Sequence, residues 1–277
     1  MLRLSGRWKG VTRTAERPGI VIKSAREIEL MRRAGRVVHR VLDRMKEMTR
    51  PGVTTGELNR EAERMIAETG GVALFKGVTN PQSRGAFPAA LCTSVNDELV
   101  HGIPGGRVLK EGDVVSIDCG VRLDGYCGDS ATTLPVGEVS ARVLRLLEVT
   151  REALELAIRE IRPGRMWSEI ARQMQAFVEA ERFSVVRDFV GHGIGREMHE
   201  EPKVPNYWAK DQKRLDFKLV PNMVLAIEPM VNMGTKDVEY AGAERWVVVT
   251  RDREYAAHFE HTVAVTETGS DVLTASP

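Results

Sequence analysis

The 277-residue chain is poor in thiols and aromatics and has almost no net charge, and each shortage closes off a class of protein. Its three cysteines, Cys92, Cys119 and Cys127, are odd in number and lack CxxC spacing. That disfavours a disulfide scaffold and a thiolate zinc site, and it fits a reducing cytoplasm. Forty Lys plus Arg against 39 Asp plus Glu leave a formal charge of +1, so no whole-chain field favours nucleic acid or anionic lipid. No apolar run reaches the roughly 20 residues of a membrane span. Residues 1–19 carry five basic side chains against Glu16 but no apolar stretch of signal-peptide length, which reads as a disordered basic tail, with an Arg-rich organelle transit peptide as the alternative. Hydrophobic content of 42% with 29% charged residues is ordinary globular composition, so function must come from a local site.

Helical periodicity is present twice. Ser24 and Glu27 have capping-box spacing, Met31, Ala34, Val38, Val41, Leu42 and Met45 follow at helical intervals, and Arg50-Pro51-Gly52 stops the run. A second helix is expected over 54–68. At an offset of 112 residues another long helix, 143–161, ends at Arg162-Pro163-Gly164 and is followed by a helix over 167–180. Strand-like runs follow each pair, at 90–100, 114–122 and 126–136, then at 189–194, 224–231, 246–250 and 256–265. The pattern predicts an α+β chain duplicated about a pseudo-two-fold axis, with antiparallel sheet covered by helices and halves over about 24–136 and 140–266. A ligand groove is then expected between the halves.

Carboxylates sit on these strands, where Asp is normally depleted. Asp124-Gly125 between apolar runs marks a two-residue hairpin, so Leu123 pairs with Tyr126 and Asp118 faces Ala131. Asp129, two residues from Ala131, is then a diagonal neighbour of Asp118 on one face. Two buried Asp repel unless protonated or bound to a cation; the alternative is a solvated face. Glu228 ends another apolar run, and Glu260 shares a strand face with His258 and Thr262. Five of the six histidines fall in these tracts, with His192 in Gly191-His192-Gly193-Ile194-Gly195, His199 before Glu200-Glu201-Pro202, and His101 before Gly102-Ile103-Pro104. Two Asp, two Glu and one His make an oxygen-rich set with room for two carboxylate-bridged divalent ions. The glycine run lacks the Lys-Ser/Thr ending of a phosphate loop, and no GxSxG element is present.

The order Asp118, Asp129, His192, Glu228, Glu260, with the motifs around His101, His192, His199, Glu228 and Glu260, resembles the type I methionine aminopeptidase family over about 20–266. The resemblance implies the duplicated pita-bread fold and a single catalytic domain over 20–277. The five residues become ligands of two divalent ions (Mn, Fe, Co or Zn), with Asp129 and Glu260 bridging. His101 and His199 become substrate-contacting histidines, and Phe87, Cys92, Met198 and Trp246 a methionine pocket. Glu228, beside the nucleophilic water, is the expected proton shuttle. The implied activity is removal of the initiator methionine from nascent polypeptides with a small second residue, near the ribosome in the cytoplasm, by a monomer without membrane or nucleic-acid partners. Some positions depart from the family pattern: a longer loop over 76–85 with Arg84 at an aromatic wall position, Cys127 for His, Arg245 before Trp246 where Gly is usual, and Asn222 in a Pro-Gly turn. The rival readings are an Xaa-Pro aminopeptidase, which usually carries an extra N-terminal domain, and a metal-free binding scaffold, which loses ligands.

Overall fold

The computed structural model describes residues 19–276 apart from 211, 212, 214 and 215, so all but Gly19 of the expected basic tail lies outside the described residues. Helix α1 (Ala25–Met48) opens with the expected capping box, in which the Ser24 hydroxyl accepts from the Glu27 N–H and the Glu27 carboxylate accepts from the Ser24 N–H. Its buried stripe contains all six apolar positions read from the periodicity. Helix α2 (Thr55–Glu68) repeats the device with Thr54 and Glu57. Helix α3 (Ala141–Glu160) starts two residues earlier than expected because Ser140 is the N-cap, and α4 (Trp167–Ala180) matches its expected range.

The Arg-Pro-Gly stops are structural duplicates. Gly52 and Gly164 both lie in the left-handed region, at φ 93° and 89°. The Gly52 N–H donates to Leu109 O at 2.8 Å and the Gly164 N–H to Leu219 O at 2.7 Å, while Leu109 N and Leu219 N donate back to Val53 O and Arg165 O at 2.8 Å.

The strands are β1 (Val72–Ala73), β2 (Leu91–Val95), β3 (Glu98–Val100), β4 (Val114–Leu123), β5 (Tyr126–Pro135), β6 (Ser184–Val185), β7 (Gly191–Gly193), β8 (Glu200–Val204), β9 (Val224–Ile227), β10 (Met230–Asn232), β11 (Val238–Tyr240), β12 (Val248–Thr250), β13 (Ala256–His258), β14 (Glu260–Val265) and β15 (Ser270–Val272). A nine-stranded sheet runs β1-β4-β5-β14-β9-β7-β8, with β2 on β4 and β15 on β14. Three expected strands are each broken in two. The 90–100 run turns at Asn96-Asp97, where Asn96 has φ 62°. The 224–231 run breaks at Glu228-Pro229, because proline cannot donate to a ladder. The 256–265 run breaks at Phe259, after which the chain passes from a three-stranded sheet into the large one.

The hairpin is as expected: Leu123 pairs with Tyr126 and Asp118 with Ala131. Val115, Ile117, Cys119 and Val121 of β4 enter one core with Val38 and Val41 of α1 and Leu58 and Ile66 of α2. Alternation therefore turns Asp118 to the face away from those helices. In the second half, α3 and α4 pack with Leu225, Ile227, Val263 and Val265. Close seating of α1 on β5 depends on Gly128, where a Cβ would lie 2.7 Å from the Gly35 nitrogen. Among the described residues no helix is long and apolar enough to cross a membrane.

Candidate metal centre and active site

Strand register brings the acids together. Ala131 of β5 pairs with Asp118 on one side and with Glu260 of β14 on the other, and Asp129 stands two residues along the same strand. The Thr262 hydroxyl accepts from Asp129 N at 3.0 Å and donates to Asp129 O at 2.8 Å, which fixes the backbone there. Glu228 follows β9, which pairs with β14 through Ile227 and His261, and its carbonyl accepts from Asn206 Nδ2 at 2.9 Å.

His192 occupies β7 between β8 and β9. The glycines flanking it are sterically required: a Cβ at Gly191 would lie 2.3 Å from Ala226 O, and one at Gly193 would lie 2.2 Å from Glu201 O. His192 Nδ1 is 3.0 Å from Gly193 O. The carbonyl can only accept, so Nδ1 carries the proton and Nε2 is left with its lone pair, the tautomer a metal ligand needs. Nε2 lies 3.6 Å from Glu228 Oε1.

The electrostatics of the cluster favour a cation. Asp118 Oδ1, Asp129 Oδ1 and Glu260 Oε1 are buried without a hydrogen-bond partner among the described residues, although buried polar atoms are nearly always paired. Burial pushes the Asp129 carboxyl up to about 7. Burial, reinforced by the neighbouring carboxylates, pushes Asp118, Glu228 and Glu260 well above the ordinary carboxylate range. Four such acids cannot all be charged at neutral pH unless positive charge stands among them. Asp129, His192 and Glu260 each offer a ligand atom within 4.8 Å of the others, and so do Glu228, His258 and Glu260. The donors are mainly carboxylate with imidazole, a set suited to divalent ions such as Mn, Fe, Co or Zn.

A cavity of about 300 Å³ opens from this cluster. It is lined by every site residue expected from the sequence: Asp118, Asp129, His192, Glu228, Glu260, His101, His199, Phe87, Cys92, Met198 and Trp246. Burial lowers His101 to about 4, helped by the charge of His199, and also lowers His199, so both are neutral at neutral pH. His101 adopts φ 60° and packs edge-on to Phe189 and Trp246, with ring centroids 5.8 and 6.2 Å away. The apolar end holds Phe87 and Trp246 in edge contact at 5.3 Å, with Phe75, Ala89 and Cys92 beside them and Met198 packed against the group. Trp246 Nε1 donates to Gly85 O at 3.2 Å, which ties the 76–85 loop to the pocket.

A family model for metallopeptidase family M24 matches residues 29–267. The chain belongs to metallopeptidase family M24. Methionine aminopeptidase 1 of Bacillus subtilis is 49% identical over 255 residues, covering 92% of this chain and 99% of that protein. The crystal structure of a methionine aminopeptidase from Thermotoga maritima superposes with a TM-score of 0.86 at 40% identity, covering 93% of this chain and 100% of that one. An Xaa-Pro dipeptidase from Bacillus anthracis reaches a TM-score of 0.72 at 22% identity over 92% of this chain and 62% of its own, a likeness of fold alone. The architecture is the duplicated pita-bread fold of M24, a family of divalent-metal peptidases.

Within this M24 chain the departures have local explanations. Arg84 is exposed, its N–H donates to Glu244 O at 2.7 Å, and the loop instead turns Val78, Thr79, Asn80 and Pro81 toward the cavity. Arg245 and Asn222 both take the left-handed backbone, at φ 53° and 69°. Asn tolerates that region well, whereas Arg carries a Cβ penalty there. Buried Cys127 approaches Arg196 O at 3.4 Å. Sequence reasoning missed Phe75 and the loop residues, because an irregular segment has no period to place them. It also left His258 without a role, although strand alternation already put it on the face of Glu260.

Proposed function

We propose that this chain is a methionyl aminopeptidase that removes N-terminal methionine from proteins and peptides whose second residue is small. The observation that carries the reading is the cavity itself, with unpartnered buried carboxylate oxygens at one end and an apolar aromatic pocket at the other. Asp118, Asp129, His192, Glu228 and Glu260 would hold two divalent ions between them. Ions bound there supply Lewis acidity toward the scissile carbonyl and lower the pKa of the attacking water. Phe87, Cys92, Met198 and Trp246 bury the methionine side chain, whose thioether suits an aromatic wall. His101 and His199, neutral and at the cavity wall, donate hydrogen bonds where oxyanion charge develops. Glu228 carries a proton from the water to the leaving amine.

The small-residue rule follows from crowding beyond the scissile bond. The His199 ring lies 4.4 Å from that of His192, edge to face, and both rings line the cavity. A long charged side chain there loses solvation without gaining partners, and a penalty of about 3 kcal/mol already gives more than a hundredfold discrimination. The catalytic unit is one domain over 20–277 built from halves of about 24–136 and 140–266. Its substrates are nascent chains near the ribosome in the cytoplasm, and it acts as a monomer.

The test is a peptide panel assayed with and without chelator and added Mn, Fe, Co or Zn. Metal-dependent release of methionine from Met-Ala-Ser, with little from Met-Glu-Ser and no cleavage of Ala-Pro-Ala, supports the proposal. Comparable kcat/KM for Met-Ala-Ser and Met-Glu-Ser overturns the small-residue rule. Cleavage of Ala-Pro-Ala in place of Met-Ala-Ser makes the chain a proline-specific peptidase, and no cleavage with any metal makes it a scaffold.

A further inference from the structure

His258 is a buried histidine that the mechanism above does not use. Its Nε2 has no hydrogen-bond partner among the described residues, yet lies 3.7 Å from Glu228 Oε2 and 3.9 Å from Glu260 Oε2. Glu228 is thus flanked by two imidazoles, with Oε1 facing His192 Nε2 at 3.6 Å and Oε2 facing His258 Nε2. The backbone of His258 is held on both sides by one hydroxyl: its N–H donates to Thr133 Oγ1 at 2.8 Å, and Thr133 Oγ1 donates to its carbonyl at 2.7 Å. Register with Met230 of β10 adds a second restraint.

We propose that His258 is a positioning residue of the metal centre, whose Nε2–H donates to Glu228 Oε2 and holds that carboxylate with Oε1 presented beside His192. This rests on the metallopeptidase reading above. The present 3.7 Å is too long for a hydrogen bond, and a carboxylate rotation moving Oε2 by about 1 Å closes it. Mutual repulsion of the four acids favours the open arrangement, and positive charge among them favours the closed one. A carboxylate oxygen bonded to a donor is fixed in orientation, so the oxygen left for the metal costs less ordering on binding.

The test measures metal affinity directly, by competition with a chromophoric chelator, for the full chain and for His258→Leu and His258→Gln. His258→Leu should lower the affinity by roughly 10- to 100-fold, while His258→Gln, which keeps an N–H donor at similar reach, should recover it to within about threefold. Absorption bands of the Co(II)-loaded protein should keep their positions in His258→Gln, because no ligand is exchanged. Wild-type affinity in His258→Leu overturns the proposal. So does a changed Co(II) spectrum in His258→Gln, which would make His258 a ligand. Should His258→Leu fail to fold, judged by circular dichroism, His258→Asn takes its place, since its amide is too short to span the gap. Methionine release and metal uptake by the unaltered chain in the same series test the underlying reading separately: their failure sinks that reading, whereas their success with an unaffected His258→Leu sinks only this one.

Discussion

The two halves share a scaffold and divide the chemistry unequally. Both Arg-Pro-Gly turns place a glycine at nearly the same positive φ and bind a later segment through the same pair of backbone hydrogen bonds. The first half then delivers Asp118 and Asp129 on a continuous ten-residue hairpin ladder, whereas the second delivers His192, Glu228 and Glu260 from short strands interrupted beside the functional residue. Duplication preserved what holds helices on a sheet. Divergence is concentrated where the strands meet the cavity, and there regular pairing gives way to side chains aimed at one point.

Removing one acid from each half gives the largest effect by which this comparison can be broken. Asp118→Ala and Glu260→Ala, which flank the same Ala131, should each lower kcat/KM on Met-Ala-Ser by at least about 10³-fold, the scale of several kcal/mol of Lewis-acid stabilisation, with the far-ultraviolet spectrum preserved. Near-normal turnover in either variant would mean that one half is dispensable. The two histidines come next: His101→Ala from the first half and His199→Ala from the second should each cost about 10² to 10³ in kcat at unchanged metal content, as expected for a transition-state donor. Metal loss in either would reassign it as a ligand.

The proposed methionine pocket is joint property of the halves, through Phe87 and Cys92 on one side and Met198 and Trp246 on the other. Trp246→Ala should reduce kcat/KM for methionyl peptides by roughly 10- to 100-fold, matching the loss of one buried large side chain, and should relax selectivity against leucine. A fall in melting temperature with selectivity intact would place Trp246 in the core instead. A smaller effect tests the shared charge of the centre. With Asp129 titrating near 7 in the metal-free protein, protons compete with the ion below that pH, and the histidines, already neutral, do not. Calorimetric affinity for Mn should therefore fall as pH drops, by at least about tenfold between pH 8 and pH 6, the share of Asp129 alone, and by more because Asp118, Glu228 and Glu260 are pushed up as well and release protons to the ion. Affinity that is flat or rises toward pH 6 contradicts this assignment. The smallest effect probes the scaffold: Gly52→Ala and Gly164→Ala have open space for a Cβ but positive φ, so each should destabilise by about 1 to 2 kcal/mol in chemical denaturation. Unequal costs would show that the two turns are less alike than their hydrogen bonds.

Local encoding explains which features were legible beforehand. The capping box at Ser24, the apolar stripe of α1 and the Asp124-Gly125 turn act within a few residues, and a two-residue turn sets the register of the whole hairpin, so Asp118 opposite Ala131 followed from spacing alone. The four acids and one histidine of the candidate centre were picked out by type and motif, because carboxylates within apolar strands need a reason to be there.

What the amino-acid sequence determined by itself was therefore the helices, the turns, the central hairpin and the set of candidate donors. Tertiary structure alone decided the rest. The pairing of β14 with β5 puts Glu260 across Ala131 from Asp118, although 142 residues separate those two acids in the chain. The same closure folds the 76–85 loop onto Trp246 and leaves His258 facing Glu228. The physical reason is range: caps and turns are satisfied by neighbours in sequence, whereas a buried carboxylate or an unpartnered imidazole acquires its meaning only from groups that distant strands bring within a few ångströms.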